Sequence, residues 1–144
     1  MVSDVPEANS IEVRLEQAAS LPEALAAGFD AFEVIRIAAR EFQDRMPGLF
    51  AAFMMTADAA VDGREALTVA PSLPLADGAE PGDAVPEGAD AGQVADALAA
   101  LAVVLRDRLS RAAALADLSG DRVACQDAAQ AAGRICQLMA RGNP

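Results

Sequence analysis

The sequence predicts an all-α protein: a four-helix, bundle-like domain of two helical hairpins joined by a long acidic Pro/Gly-rich crossover. Three observations carry that expectation. Two capping-box signatures, Ser20-Leu21-Pro22-Glu23 and Asp90-Ala91-Gly92-Gln93, stand before long amphipathic runs. Apolar residues then recur at alternating steps of three and four, the period of one helix face. Between the runs, residues 70–92 collect four Pro, four Gly and five acidic residues with no basic one, a composition that suits a connector and not a core element.

Residues 1–9 read as a disordered N-terminus, and 10–144 as one helical domain. Ile11, Val13 and Leu15 alternate with Glu12, Arg14 and Glu16, which is the period of a strand. Ile11, Leu15 and Ala18 serve a short helix equally well, and the Glu, Gln and Ala that follow favour helix over 11–19. The next helix is expected over 21–45. Ser20 supplies its cap, and its stripe is Leu25, Gly28, Phe32, Ile35, Ala39, Phe42 and Met46. Asp30, Glu33, Arg40, Glu41 and Asp44 hold the opposite face with Ile37 among them, and Glu41 and Arg45 are spaced to pair.

Met46-Pro47-Gly48 interrupts this helix, because an interior Pro costs a hydrogen bond and clashes with the preceding turn. The reading is a break, with Asp44 as a cap, and a second helix over 47–62 that ends near Gly63. A single kinked helix is the alternative. Glu65 to Ala70 has no clear period. Leu73 and Leu75 are candidates to dock the start of the linker. The third helix is expected over 91–118 on the stripe Val94, Leu98, Leu101, Leu105, Leu109, Ala112 and Leu115, with an Asp107–Arg111 pair and a stop at Ser119-Gly120. The fourth is expected over 121–141, with Cys125, Ala128, Ala129, Ala132, Ile135, Cys136 and Met139 inward and Gly142 as its stop.

Composition narrows function. There is no His and no Lys, and all 11 basic residues are Arg. The chain therefore lacks the usual near-neutral base, the commonest metal ligand and any amine for Schiff-base or P-loop chemistry. No catalytic residue, metal site or cofactor is expected. A net charge of −11 argues against nucleic acid or an anionic membrane surface as a partner. The start shows no leader pattern, and the longest apolar run, Leu49–Met55, is far below the ~20 residues that span a bilayer. A cytoplasmic location follows. Cys125 and Cys136 lie about 16 Å apart along one helix, too far to bridge, and read as reduced core residues.

The concentrated feature is aromatic. All five aromatic residues are Phe, namely Phe29, Phe32, Phe42, Phe50 and Phe53, with Met46, Met54 and Met55 among them. Leu49 through Met55 carries no polar side chain on any helix face, and a helix apolar all round is buried all round. One small bundle rarely has neighbours on every side. Leu49, Phe50, Phe53, Met54 and Met55 are therefore the candidate interface or pocket. A second copy of the chain is the expected cover.

One carboxylate arrangement invites comparison. Glu41-x-x-Asp44, with Glu12 and Glu16 on an earlier segment, faintly resembles the all-α nucleotide pyrophosphohydrolases. That family holds Mg²⁺ with Glu-x-x-Glu on one helix and Glu-x-x-Asp on the next. Here the first pair is Glu-x-x-x-Glu and no lysine stands near to meet a triphosphate. A charged, solvated face is the preferred reading. The leading expectation is thus a non-enzymatic cytoplasmic helical interaction or adaptor protein, homodimeric, that binds a protein partner. The alternatives are a small-molecule-binding regulator with a Phe/Met-lined pocket and a Mg²⁺-dependent pyrophosphohydrolase-like enzyme.

Overall fold

A computed structural model describes residues 6–74 and 90–140, and five α-helices without strands make up the described fold. They are α1 (Pro6–Gln17), α2 (Leu21–Phe42), α3 (Phe50–Thr68), α4 (Ala91–Leu115) and α5 (Ser119–Ala140). The ambiguous segment at 11–19 is helical. It begins at Pro6, so residues 6–9, expected outside the fold, belong to α1.

Both capping signatures act as read, with one refinement. The backbone N–H of Glu23 donates to Ser20 Oγ at 3.3 Å, while the Glu23 carboxylate accepts from Ala19 and not from Ser20. At α4 the box is reciprocal: the Gln93 N–H donates to Asp90 Oδ1 at 2.9 Å, and the Asp90 N–H donates to Gln93 Oε1 at 3.2 Å. The N–H groups of Glu23, Gln93 and Asp90 at the two helix starts are thus satisfied locally.

The joint at Pro47 is a break. Helix α2 ends at Phe42, and a single 3-10 turn over Pro47–Leu49 leads into α3. Asp44 does not cap it. Met46 occupies the cap position of the turn and offers no side-chain acceptor. Helix α3 then runs through Gly63 to Thr68, six residues past its expected end, and absorbs most of the uncertain 65–70 segment. Helix α4 stops at Leu115 and α5 starts at Ser119, so the turn between them lies at 116–118, before Ser119-Gly120. Most of the 70–92 connector, including Leu75, lies outside the described residues, as does Gly142. Leu73 is partly buried against the core, as expected.

Packing follows the stripes. Phe32, Phe42 and Phe53 are the largest fully buried side chains, joined by Leu25, Ile35, Leu98, Leu101, Leu105, Leu109 and Ile135. Helices α2 and α3 are antiparallel neighbours, because Glu33 meets Arg64 while Gly28 faces Leu67. Helices α3 and α5 are antiparallel as well, since Arg134 reaches Asp62 at 3.4 Å and Asp121 holds Ser72. Helix α5 pairs with α4 through a face of Ala and Cys, and α1 packs on both α2 and α4. Arg108 of α4 donates to the carbonyls of Leu15 and Ala18 at 3.1 and 2.9 Å, closing the C-terminal end of α1.

Several stripe ends depart from expectation. Met46 and Leu115, read as core, are exposed, Leu115 by 80%. Each lies beyond the last residue of its helix that faces a neighbour. Ile37, read as exposed, is partly buried against the core. Arg106 pairs with Asp107 at 3.2 Å in place of the expected Asp107–Arg111 bridge, while Glu41 and Arg45 pair at 3.0 Å as their spacing suggests. Cys125 is buried, Cys136 is half-buried, and neither is bridged.

Candidate interaction face

The segment singled out by its lack of polarity divides into two sets. Leu49 and Phe53 point inward: Phe53 is fully enclosed and Leu49 nearly so. Phe50, Met54 and Met55 point outward, with 40, 41 and 51% of their surface exposed. Phe50 and Met54 are one turn apart, and Ala51 lies exposed between the arcs of Met54 and Met55. Met46, also 40% exposed, stands in extended backbone just before the 3-10 turn and belongs to no helix face; the sequence reading placed it on the α2 stripe.

Local chemistry explains why the face is oriented outward. Among the described residues, α3 packs chiefly on α2 and α5. Phe53, Ala57 and Ala60 fill one side and Thr56, Ala59 and Gly63 the rest of the inward arc. Among the described residues, the remaining arc has no packed neighbour. The exposed residues of the second half of α3 are Asp58, Asp62, Glu65 and Thr68, all polar as solvent demands. The outward residues of the first half are Phe50, Ala51, Met54 and Met55, with no charge among them.

At the rim, Arg45 sits 4.6 Å over the Phe42 ring while pairing with Glu41. Among the described residues, the buried Thr56 Oγ1 and Gln43 Oε1 find no hydrogen-bond partner. Thr56 is fully enclosed.

The carboxylates weighed for Mg²⁺ are not assembled. Glu41 is tied to Arg45, and among the described residues no group of three or more acidic or Cys side chains is arranged to hold a metal ion. Three surface clefts lie between α4 and α5, between α3 and α5, and between α1 and α2. The first is lined by Arg106, Ser110, Arg122 and Gln130 among small residues. No Phe or Met lines any of the three. Among the described residues, no helix is long and apolar enough to cross a membrane. No protein-family model, curated protein or solved structure matches this chain.

Proposed function

We propose that this chain is a non-enzymatic, cytoplasmic helical interaction protein that acts as a homodimer. In this reading α2–α5 form the two hairpins of a bundle joined by the acidic crossover, α1 covers the seam between α2 and α4, and the outer face of the first half of α3 is the contact surface. One observation carries it: Phe50, Met54 and Met55 stand exposed together, with no charged residue between them, on the outer side of the first half of α3. A contiguous apolar patch on a small protein marks a contact site, and Met with Phe is the composition of adaptable protein-binding surfaces.

Light scattering across micromolar concentrations tests the proposal. The expected mass is twice 14.7 kDa for the unaltered chain and one copy for Phe50→Asp and Met54→Asp, with helix content unchanged. Placing two carboxylates in an apolar contact costs several kcal/mol, so dimer dissociation should rise at least 100-fold. A monomeric unaltered chain, or a dimer indifferent to both substitutions, would sink it.

A further inference from the structure

We infer that the seam between α2 and α4 is a helix-binding groove, filled by α1 in the resting chain and open to a partner's short amphipathic helix that takes the place of α1. This goes beyond the dimer proposed above and does not depend on it. Its basis is a second buried row on α2, outside the stripe read from the sequence. Gly28 turns toward Leu105 and Leu109 of α4 and Leu67 of α3. Asp30, on nearly the opposite side of the helix, reaches Arg14 of α1 at 2.8 Å. Ala27, Ala31, Val34 and Ala38 recur at steps of four and three between those two directions, and all are buried. Three of the four are Ala, so this side of α2 is a trough, and Ala27 borders the α1–α2 cleft beside Ala18. Ile11 and Leu15, one turn apart on α1, are enclosed in the same core.

Helix α1 is seated as a bound peptide is. Among its described side chains only Ile11 and Leu15 are buried, against eleven residues of α2 and ten of α4. Two apolar anchors at i and i+4 are the recognition pattern of a helix in a groove. Its 12 residues are too few to hold a helix in water, so α1 folds as it docks. Its polar ties are ones that another helix can make. Arg108 grips the carbonyls of Leu15 and Ala18, backbone groups that every helix C-terminus offers. The Arg14–Asp30 pair is exposed and is worth at most about 1 kcal/mol. Glu12 opposes the docked state, because burial and then the charge of Glu16 raise its carboxyl. A partner helix with an apolar pair four residues apart and a neutral residue at the position of Glu12 fits the seam better than α1 does.

A fluorescent peptide of residues 6–19, titrated with the full chain carrying Leu15→Asp, tests the groove. The aspartate undocks α1 by placing an unpaired charge in the seam, while α2–α5 keep their own anchors. The short joint at 18–20 holds α1 at an effective concentration of about 1 mM, so a peptide that binds the emptied seam at about 10 µM should bind the unaltered chain about 100-fold more weakly. A Leu15→Asp peptide should bind neither chain. A Glu12→Gln peptide should bind the variant more tightly at pH 7, and weaker binding overturns the fit assigned at Glu12. No binding of the native peptide to the variant, or equal binding of the native and Leu15→Asp peptides, overturns the groove. Equal affinity of the native peptide for both chains overturns α1 as its resting occupant. Should Leu15→Asp fail to fold, amide exchange on the unaltered chain decides. The amides of α1 should then exchange about 100-fold faster than those of α3 and α5, and protection equal to theirs overturns the proposal.

Discussion

The Phe32 ring occupies the space in which a side chain on Gly63 would stand. A Cβ built on Gly63 overlaps Cδ1, Cε1 and Cζ of that ring, closer than real Cβ contacts come. The glycine thus lies inside α3 as a notch, and the fully buried Phe32 fills it.

The sign of one substitution follows. Alanine is favoured over glycine in a helix interior by about 1 kcal/mol, whereas forcing a methyl group into a packed core costs about 1–3 kcal/mol. Phe32 has no exposed side toward which it can retreat. Gly63→Ala should therefore destabilise the protein by up to about 2 kcal/mol in urea denaturation. In a Phe32→Leu background the same change should become neutral or stabilising. A more stable Gly63→Ala in the unaltered background would refute the notch.

Glu33 makes stability depend on pH. Burial by itself pushes its carboxyl upward, but hydrogen bonds from Arg36 and Arg64, and their charges, more than offset this and hold it below its ordinary 4.5. A carboxylate depressed in the folded state stabilises above its unfolded value, and the gain is lost as pH falls through the folded one. Glu33→Gln should cost about 1–2 kcal/mol at pH 7, a deficit that shrinks once the pH drops below 4.5. Glu12 runs the other way: burial and the neighbouring Glu16 raise it. Its charge opposes folding near neutrality, and that penalty is relieved as pH falls through its raised value. Glu12→Gln should be neutral or slightly stabilising at pH 7. Denaturation midpoints of both variants at two pH values check the opposite signs.

Asp121 is almost wholly buried and accepts from the Ser72 N–H at 2.9 Å and from Ser72 Oγ at 2.6 Å. Its place in the first turn of α5 adds a favourable interaction with the helix dipole. Asp121→Ala leaves the half-buried N–H and hydroxyl of Ser72 without their acceptor, at a cost of about 1–3 kcal/mol. Ser72→Ala removes only the hydroxyl bond and should cost about half as much. Amide exchange at Ser72 should accelerate in Asp121→Ala. Protection equal to that of the unaltered chain would show that the latch holds nothing.

The cysteines should differ in reactivity. Burial, and then the charge of Asp121, push the Cys125 thiol up to about 11. Burial also raises Cys136, though it stays partly open to solvent. Since the thiolate is the reactive form, a disulfide reagent at pH 8 should titrate at most one thiol in the folded protein and two in urea. Two fast equivalents before unfolding would contradict the buried position of Cys125.

Much of this fold is legible in local chemistry, because caps and stripes are local facts. Ser20 and Asp90 announce α2 and α4 through their own side chains, and Pro47 announces the break through its missing N–H. The errors arise where a distant residue decides. Gly63 reads as a stop because sequence shows its freedom and hides Phe32, 31 positions away. Met46 and Leu115 continue a stripe past the point where a neighbouring helix is there to receive it. The run Leu49–Met55 is conspicuous in sequence. Sorting Leu49 and Phe53 inward from Phe50, Met54 and Met55 outward requires knowing where α2 and α5 lie.

The clamp that Arg108 places on α1 bears on how the chain assembles during synthesis. Its acceptors, Leu15 and Ala18, emerge from the ribosome about 90 residues before Arg108 does, a delay of roughly 5–20 s at ordinary elongation rates. During that interval α1 has only the surface of α2 to lean on, and its terminal carbonyls have only water. Helix α1 is thus made before α4 but fastened only once α4 is available, and a nascent chain halted before α4 should hold α1 more loosely than the finished fold does.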